Sequence, residues 1–154
     1  MDPMTPSSAD RETILLAEDD TALRQLVARI LRNAGYTVIE AVDGEDALTR
    51  SASHGRIDLL VTDMVMPKFG GVELARRLCA RDGAIRVMYM SGYPDVVDRK
   101  RNELDSGVSW IAKPFAASEL LREVRSRLDQ ARASPSHACA ELITPVLGPV
   151  SPGS

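Results

Sequence analysis

Four groups of residues with chemically useful side chains each follow a short apolar run. Glu18-Asp19-Asp20 comes after Thr13-Ile14-Leu15-Leu16-Ala17, and Asp63 comes after Leu59-Leu60-Val61-Thr62. Ser91 comes after Arg86-Val87-Met88-Tyr89-Met90, and Lys113 after the run from Val108 to Ala112. Three carboxylates in one place repel each other strongly unless a cation neutralises them. An all-oxygen set of one or two carboxylates, substrate oxygens and retained waters suits Mg2+. A lysine and a hydroxyl supply donors for phosphate oxygens. Brought together, these groups describe an aspartate, Asp63, that accepts a phosphoryl group while Mg2+ and Lys113 stabilise the moving charge.

Positioning them requires strands that end at one common edge. A continuous apolar run bounded by breakers suits a strand buried on both faces of a parallel sheet. Five such strands are predicted, at Thr13 to Ala17, Tyr36 to Glu40, Ile57 to Thr62, Arg86 to Met90 and Val108 to Ala112. Helical spacing fills the intervals. Leu23, Leu26, Val27, Ile30 and Leu31 share one stripe, closed by Gly35, with Asp20 read as the N-cap and not as a ligand. Asp43 caps a helix to about His54, and Gly70-Gly71 opens one carrying Val72, Leu74, Ala75 and Leu78. Pro94 starts a weakly patterned helix through Asp105, and Ser118 or a neighbour caps a last helix with Leu120, Leu121, Val124 and Leu128. Alternation of this kind implies an α/β fold, a doubly wound parallel sheet with helices on both faces. In such sheets ligands bind outside the carboxyl ends of the strands.

These residues resemble the receiver domain of two-component signalling, the phosphoacceptor part of a response regulator or hybrid kinase. The resemblance covers about Thr13 to Gln130. It rests on Ala17-Glu18-Asp19-Asp20, on Asp63 with Met66-Pro67 and Gly70-Gly71, on Met90-Ser91-Gly92, and on Lys113-Pro114-Phe115. It implies a flavodoxin-like (βα)5 sheet with strand order 2-1-3-4-5. Asp63 matches the phosphorylated aspartate, Glu18 and Asp19 the pair that holds Mg2+, and the Val65 backbone carbonyl a further metal ligand. Ser91 matches the switch hydroxyl and Lys113 the phosphate-contacting lysine. A cis bond before Pro114 is implied as well. The family is not normally counted as enzymatic, since a receiver catalyses only its own phosphorylation and dephosphorylation.

Two places depart from the common pattern. The aromatic switch position, usually Tyr or Phe, is Trp110, and the resemblance implies a ring that swings inward when Ser91 moves. Val65 and Tyr93 flank the path of a hydrolytic water and neither can orient it, so self-dephosphorylation is expected to be slow. The resemblance further implies a histidine kinase or histidine phosphotransfer protein as donor, with a phosphorylation-dependent homodimer as one output. Ser91-Gly92-Tyr93 with Asp63 to Pro67 is similar to the C-terminal receivers of hybrid histidine kinases; the tail fits a stand-alone regulator equally well. The alternative from another class is a Mg2+-dependent phosphatase with an aspartyl nucleophile. Such enzymes place an acid two residues after the nucleophile, where this chain has Val65.

Composition sets the remaining bounds. The 154 residues, 44% hydrophobic and 27% charged, suit one globular domain, read here as 13–131 between disordered segments at 1–12 and 132–154. Three of the nine prolines lie between Pro145 and Pro152, which underlies the tail assignment. A net charge of -3 argues against nucleic-acid binding through a basic surface. No apolar run approaches the roughly 20 residues of a membrane span, and no signal peptide is visible. Cys79 and Cys139 lack the spacing of a disulfide framework or zinc site, so the expected compartment is the cytoplasm.

Overall fold

Parallel pairing carries all four ladders of the sheet, whose order is β2-β1-β3-β4-β5. The computed structural model describes residues 12–83, 85–93 and 108–129. Its elements are β1 (Thr13–Ala17), α1 (Thr21–Asn33), β2 (Thr37–Ala41), α2 (Gly44–His54), β3 (Leu59–Asp63), α3 (Gly71–Arg81), β4 (Arg86–Ser91), β5 (Val108–Ala112) and α4 (Ala117–Leu128). The doubly wound parallel sheet expected from the strand–helix alternation is observed, in the flavodoxin-like strand order that the resemblance implies. The helix anticipated from Pro94 to Asp105 and the terminal segments 1–11 and 130–154 lie outside the described residues.

Two apolar layers sandwich the sheet. Ile14, Leu16, Leu59, Val61, Met88 and Met90 face Val27, Ala28 and Leu31 of α1 and Leu120, Val124 and Leu128 of α4. The alternate residues Leu15, Ala17, Leu60, Val87 and Tyr89 face Ala47 of α2 and Leu74, Ala75 and Leu78 of α3. Because both faces are covered, β1 is buried at all five positions and shows no polar alternation. Cys79 is a buried member of the second layer and is not a free thiol.

Two details of the termini differ from the sequence expectation. Glu12, placed outside the domain, is tied into it: its carbonyl accepts the Thr37 N–H at 3.0 Å, and its carboxylate pairs with Arg125 at 3.0 Å. Helix α4 is capped at Ala116, not Ser118. There the Glu119 carboxylate reaches back to accept the Ala116 N–H at 3.4 Å, the half of a capping box that an alanine at the N-cap still allows. Asp20 does cap α1, its carboxylate accepting from Leu23 N, and Asp43 caps α2 by accepting from Asp46 N at 2.7 Å.

Candidate functional site

The carboxyl ends of β1, β3, β4 and β5 deliver their polar residues to one cleft. Asp63 is the last residue of β3, with Met90 as its register partner on β4; Ser91 ends β4 beside Ala112 of β5. Glu18 and Asp19 leave β1, where the Glu18 N–H donates to the Ala41 carbonyl at 3.1 Å. Lys113 leaves β5, and its N–H donates to the Ser91 carbonyl at 2.7 Å. Carboxylate oxygens of Glu18, Asp19 and Asp63 all lie within 4.8 Å of one another.

Lys113 reaches into this acidic group. Its Nζ lies 2.8 Å from Asp63 Oδ1 and 3.1 Å from Glu18 Oε1. Burial works against the ammonium, but hydrogen bonds to Asp63 and Glu18 outweigh it and leave the Lys113 pKa raised. Glu18 is 1% exposed. Burial lifts its pKa first and the nearby Asp63 charge lifts it further, against the Asp20 N–H bond and Lys113. A buried carboxylate with a raised pKa beside two others fits a divalent cation well, since a cation would neutralise the group that desolvation penalises most.

A cleft of about 300 Å3 opens over Asp63, lined by Met64, Val65, Ser91, Gly92, Tyr93 and Lys113. Ser91 is buried, and its Oγ accepts the Tyr93 N–H at 3.1 Å. Val65 and Tyr93 stand at the rim, 71% and 68% exposed. The cleft therefore joins an acceptor carboxylate, a hydroxyl and an ammonium, with apolar side chains at its mouth. The Lys113–Pro114 bond is cis.

Trp110, the residue at the switch position, lies in the core beside β4. It is 3% exposed and packs on Tyr89, its register partner, with ring centroids 4.6 Å apart. An indole filled in this way is already inside the core, because the β4 neighbour offers it a large flat apolar surface.

Several supporting residues gave no local sequence signal. Arg24 donates from Nη1 to the Glu18 carbonyl at 3.0 Å and from Nε to Glu40 at 3.3 Å, anchoring the end of β1 from α1. Thr62, fully buried, donates its hydroxyl to the Asp63 carbonyl at 2.9 Å. Glycine is required where α3 begins: a Cβ at Gly71 would collide with the Asp63 carbonyl oxygen, and one at Gly70 with the Met64 carbonyl oxygen.

The sequence model of the response regulator receiver domain matches residues 14–125. The chain belongs to that family. Receiver domains are the phosphoacceptor switches of two-component signalling, and the switch function anticipated from the strand-end residues is of this kind. The response regulator receiver protein CpdR of Brucella abortus (strain 2308) is 34% identical over 115 residues, 75% of this chain and 95% of that protein. The sensor kinase CckA of the same strain is 34% identical over 119 residues, 77% of this chain but only 13% of the kinase. Among solved structures, the receiver domain of the hybrid histidine kinase CckA shares 36% identity with a TM-score of 0.65, covering 76% of this chain and 99% of that one. The response regulator TrrA of Thermotoga maritima, solved in complex with Mg2+-BeF, shares 26% identity with a TM-score of 0.63 over 75% of this chain and 98% of its own. None of these relationships supports the phosphatase alternative. Among the described residues no helix is long and apolar enough to cross a membrane.

Proposed function

We propose that Asp63 accepts a phosphoryl group from a phosphohistidine on a histidine kinase or histidine phosphotransfer protein. The Asp63 Oδ–P bond forms as the donor's N–P bond breaks. One observation carries this reading: Asp63 sits among Glu18 and Asp19 within 4.8 Å while Lys113 Nζ touches it at 2.8 Å. Glu18, Asp19, Asp63 and the Val65 backbone carbonyl are the residues that would hold Mg2+, as the bound Mg2+-BeF of TrrA and the donor set here suggest. When bound, the ion neutralises the charge on the transferring phosphoryl oxygens.

The remaining steps belong to the chain's own side chains. Lys113 holds the acceptor carboxylate in place and donates to a phosphoryl oxygen once the group arrives. The Ser91 hydroxyl, at the same cleft, turns from the Tyr93 N–H toward the phosphoryl group, which shifts the population of the loop after β4. Trp110 takes part by repacking against Tyr89, its register partner on β4. The output is a protein contact, with homodimerisation one form of it.

The test is to incubate the protein with Mg2+ and either acetyl phosphate or beryllofluoride, comparing wild type with Asp63→Asn. Adduct mass, Trp110 fluorescence and oligomeric size are followed together. An adduct that persists in Asp63→Asn, or none in wild type, would sink the assignment. A size change confined to phosphorylated wild type identifies a dimer as the output.

A further inference from the structure

The loop between β3 and α3 is held at both ends by different means. Near β3, Met66 is 8% exposed in the core, and the Gly71 N–H donates to the Met64 carbonyl at 2.9 Å. Near α3, the hold comes from another helix. Lys68 sits at φ 76°, a left-handed conformation that a side chain makes costly. Its Nζ lies 2.7 Å from Glu45 Oε1 and 3.5 Å from Asp43 Oδ2, both at the start of α2. Phe69 follows, its ring pressed so closely on Gly44 that a Cβ there would collide with it. The Arg77 guanidinium lies 4.3 Å from the centroid of the same ring.

Glycine would accept this φ freely, yet glycine has no reach to the two carboxylates. We infer that Lys68 and Phe69 are positioning residues: they clamp the loop to the N-terminus of α2 so that the Val65 carbonyl, three residues away, is presented to a divalent cation. This rests on the reading of Glu18, Asp19, Asp63 and Val65 as the metal set. The start of α2 then governs metal affinity, and by linkage a bound ion tightens the contact with α2.

The sign of the effect separates positioning from simple electrostatics. Removing a positive charge near a cation site strengthens cation binding by Coulomb's law alone. Loss of a clamp weakens it.

The experiment titrates Mg2+ calorimetrically into wild type, Lys68→Gly, Lys68→Arg and Gly44→Ala, and measures metal-free thermal unfolding of each. Lys68→Gly is expected to unfold at an equal or higher temperature, because strain is relieved, yet to bind Mg2+ roughly tenfold more weakly, the scale of outer-shell supports. Lys68→Arg restores affinity, and Gly44→Ala weakens it by displacing Phe69. Wild-type or tighter Mg2+ binding in Lys68→Gly overturns the clamp. Absence of Mg2+ binding by wild type overturns the metal-set reading beneath it, a result distinguishable from the first.

Discussion

Tyr89 and Trp110 face each other across β4 and β5, their ring planes inclined by 37° and their centroids 4.6 Å apart. Tyr89 is 2% exposed, and its hydroxyl has no hydrogen-bond partner among the described residues. Burial pushes its pKa far above the usual phenol value. A buried hydroxyl left without a partner costs about 1–3 kcal/mol. Tyr89→Phe is therefore expected to stabilise the domain by about 1 kcal/mol, read as a higher urea midpoint with an unchanged slope. A lower midpoint would mean that the hydroxyl is bonded.

The rim of the cleft is expected to set the lifetime of the phosphorylated form. Val65 and Tyr93 are both strongly exposed there and neither carries an acid or amide. Val65→Asn places a side-chain amide over the acceptor, able to align an attacking water. The phosphorylated form of this variant should decay about tenfold faster than wild type, a modest share of what a positioned acid–base group supplies. Decay after removal of the phosphodonor, followed by Trp110 fluorescence and intact mass, measures it; equal lifetimes would count against a rim that excludes or misaligns water.

Asp46 makes stability depend on acid pH. It accepts the Val42 N–H at 2.9 Å and pairs with Arg50 at 3.0 Å, with 25% of its side chain exposed. Burial alone would raise its pKa, but the Val42 N–H and Arg50 outweigh it and hold the carboxyl below its usual range. A depressed carboxylate contributes stability above the unfolded value and loses it as pH falls through the folded value. Asp46→Asn should therefore cost at most about 1 kcal/mol near neutrality, and the gap should close below roughly pH 4. Urea midpoints across pH check this; a gap that widens in acid contradicts it.

Gly71 is the point where α3 touches the acceptor strand. Since a Cβ there meets the Asp63 carbonyl oxygen and the Thr62 side chain, Gly71→Ala must push backbone apart. The expected cost is at least about 2 kcal/mol, by urea unfolding. Phosphoryl uptake should fall as well, because Asp63 moves with its carbonyl. A fully active and equally stable variant would mean that the helix start yields freely.

Much of the site was legible because its strands are buried on both faces. An apolar run such as Leu59 to Thr62 breaks at the first charge it meets, so Asp63 and Glu18 mark the strand ends without any alignment. What stayed hidden depends on contacts distant in sequence. The Tyr89–Trp110 pair is set by strand register, which local periodicity does not encode, and so the indole's partner could not be named beforehand. Arg24, Lys68 and Phe69 read as ordinary surface or loop residues until α1 and α2 are seen beside their loops. The α4 cap was left open between Ser118 and its neighbours because Ala116, Ala117 and Ser118 differ little locally, whereas Glu119 reaches back to Ala116. Glu12 is held through Arg125, 113 positions away.

Lys113 rests against two carboxylates at once, 2.8 Å from Asp63 and 3.1 Å from Glu18. The acceptor edge thus carries an internal counter-ion supplied by the fold itself. Filling the site with a divalent cation would be an exchange of cations, with the ammonium yielding part of its hold as the other charge arrives. Such competition would lower affinity for the incoming ion, while the scaffold around Asp63 is assembled beforehand.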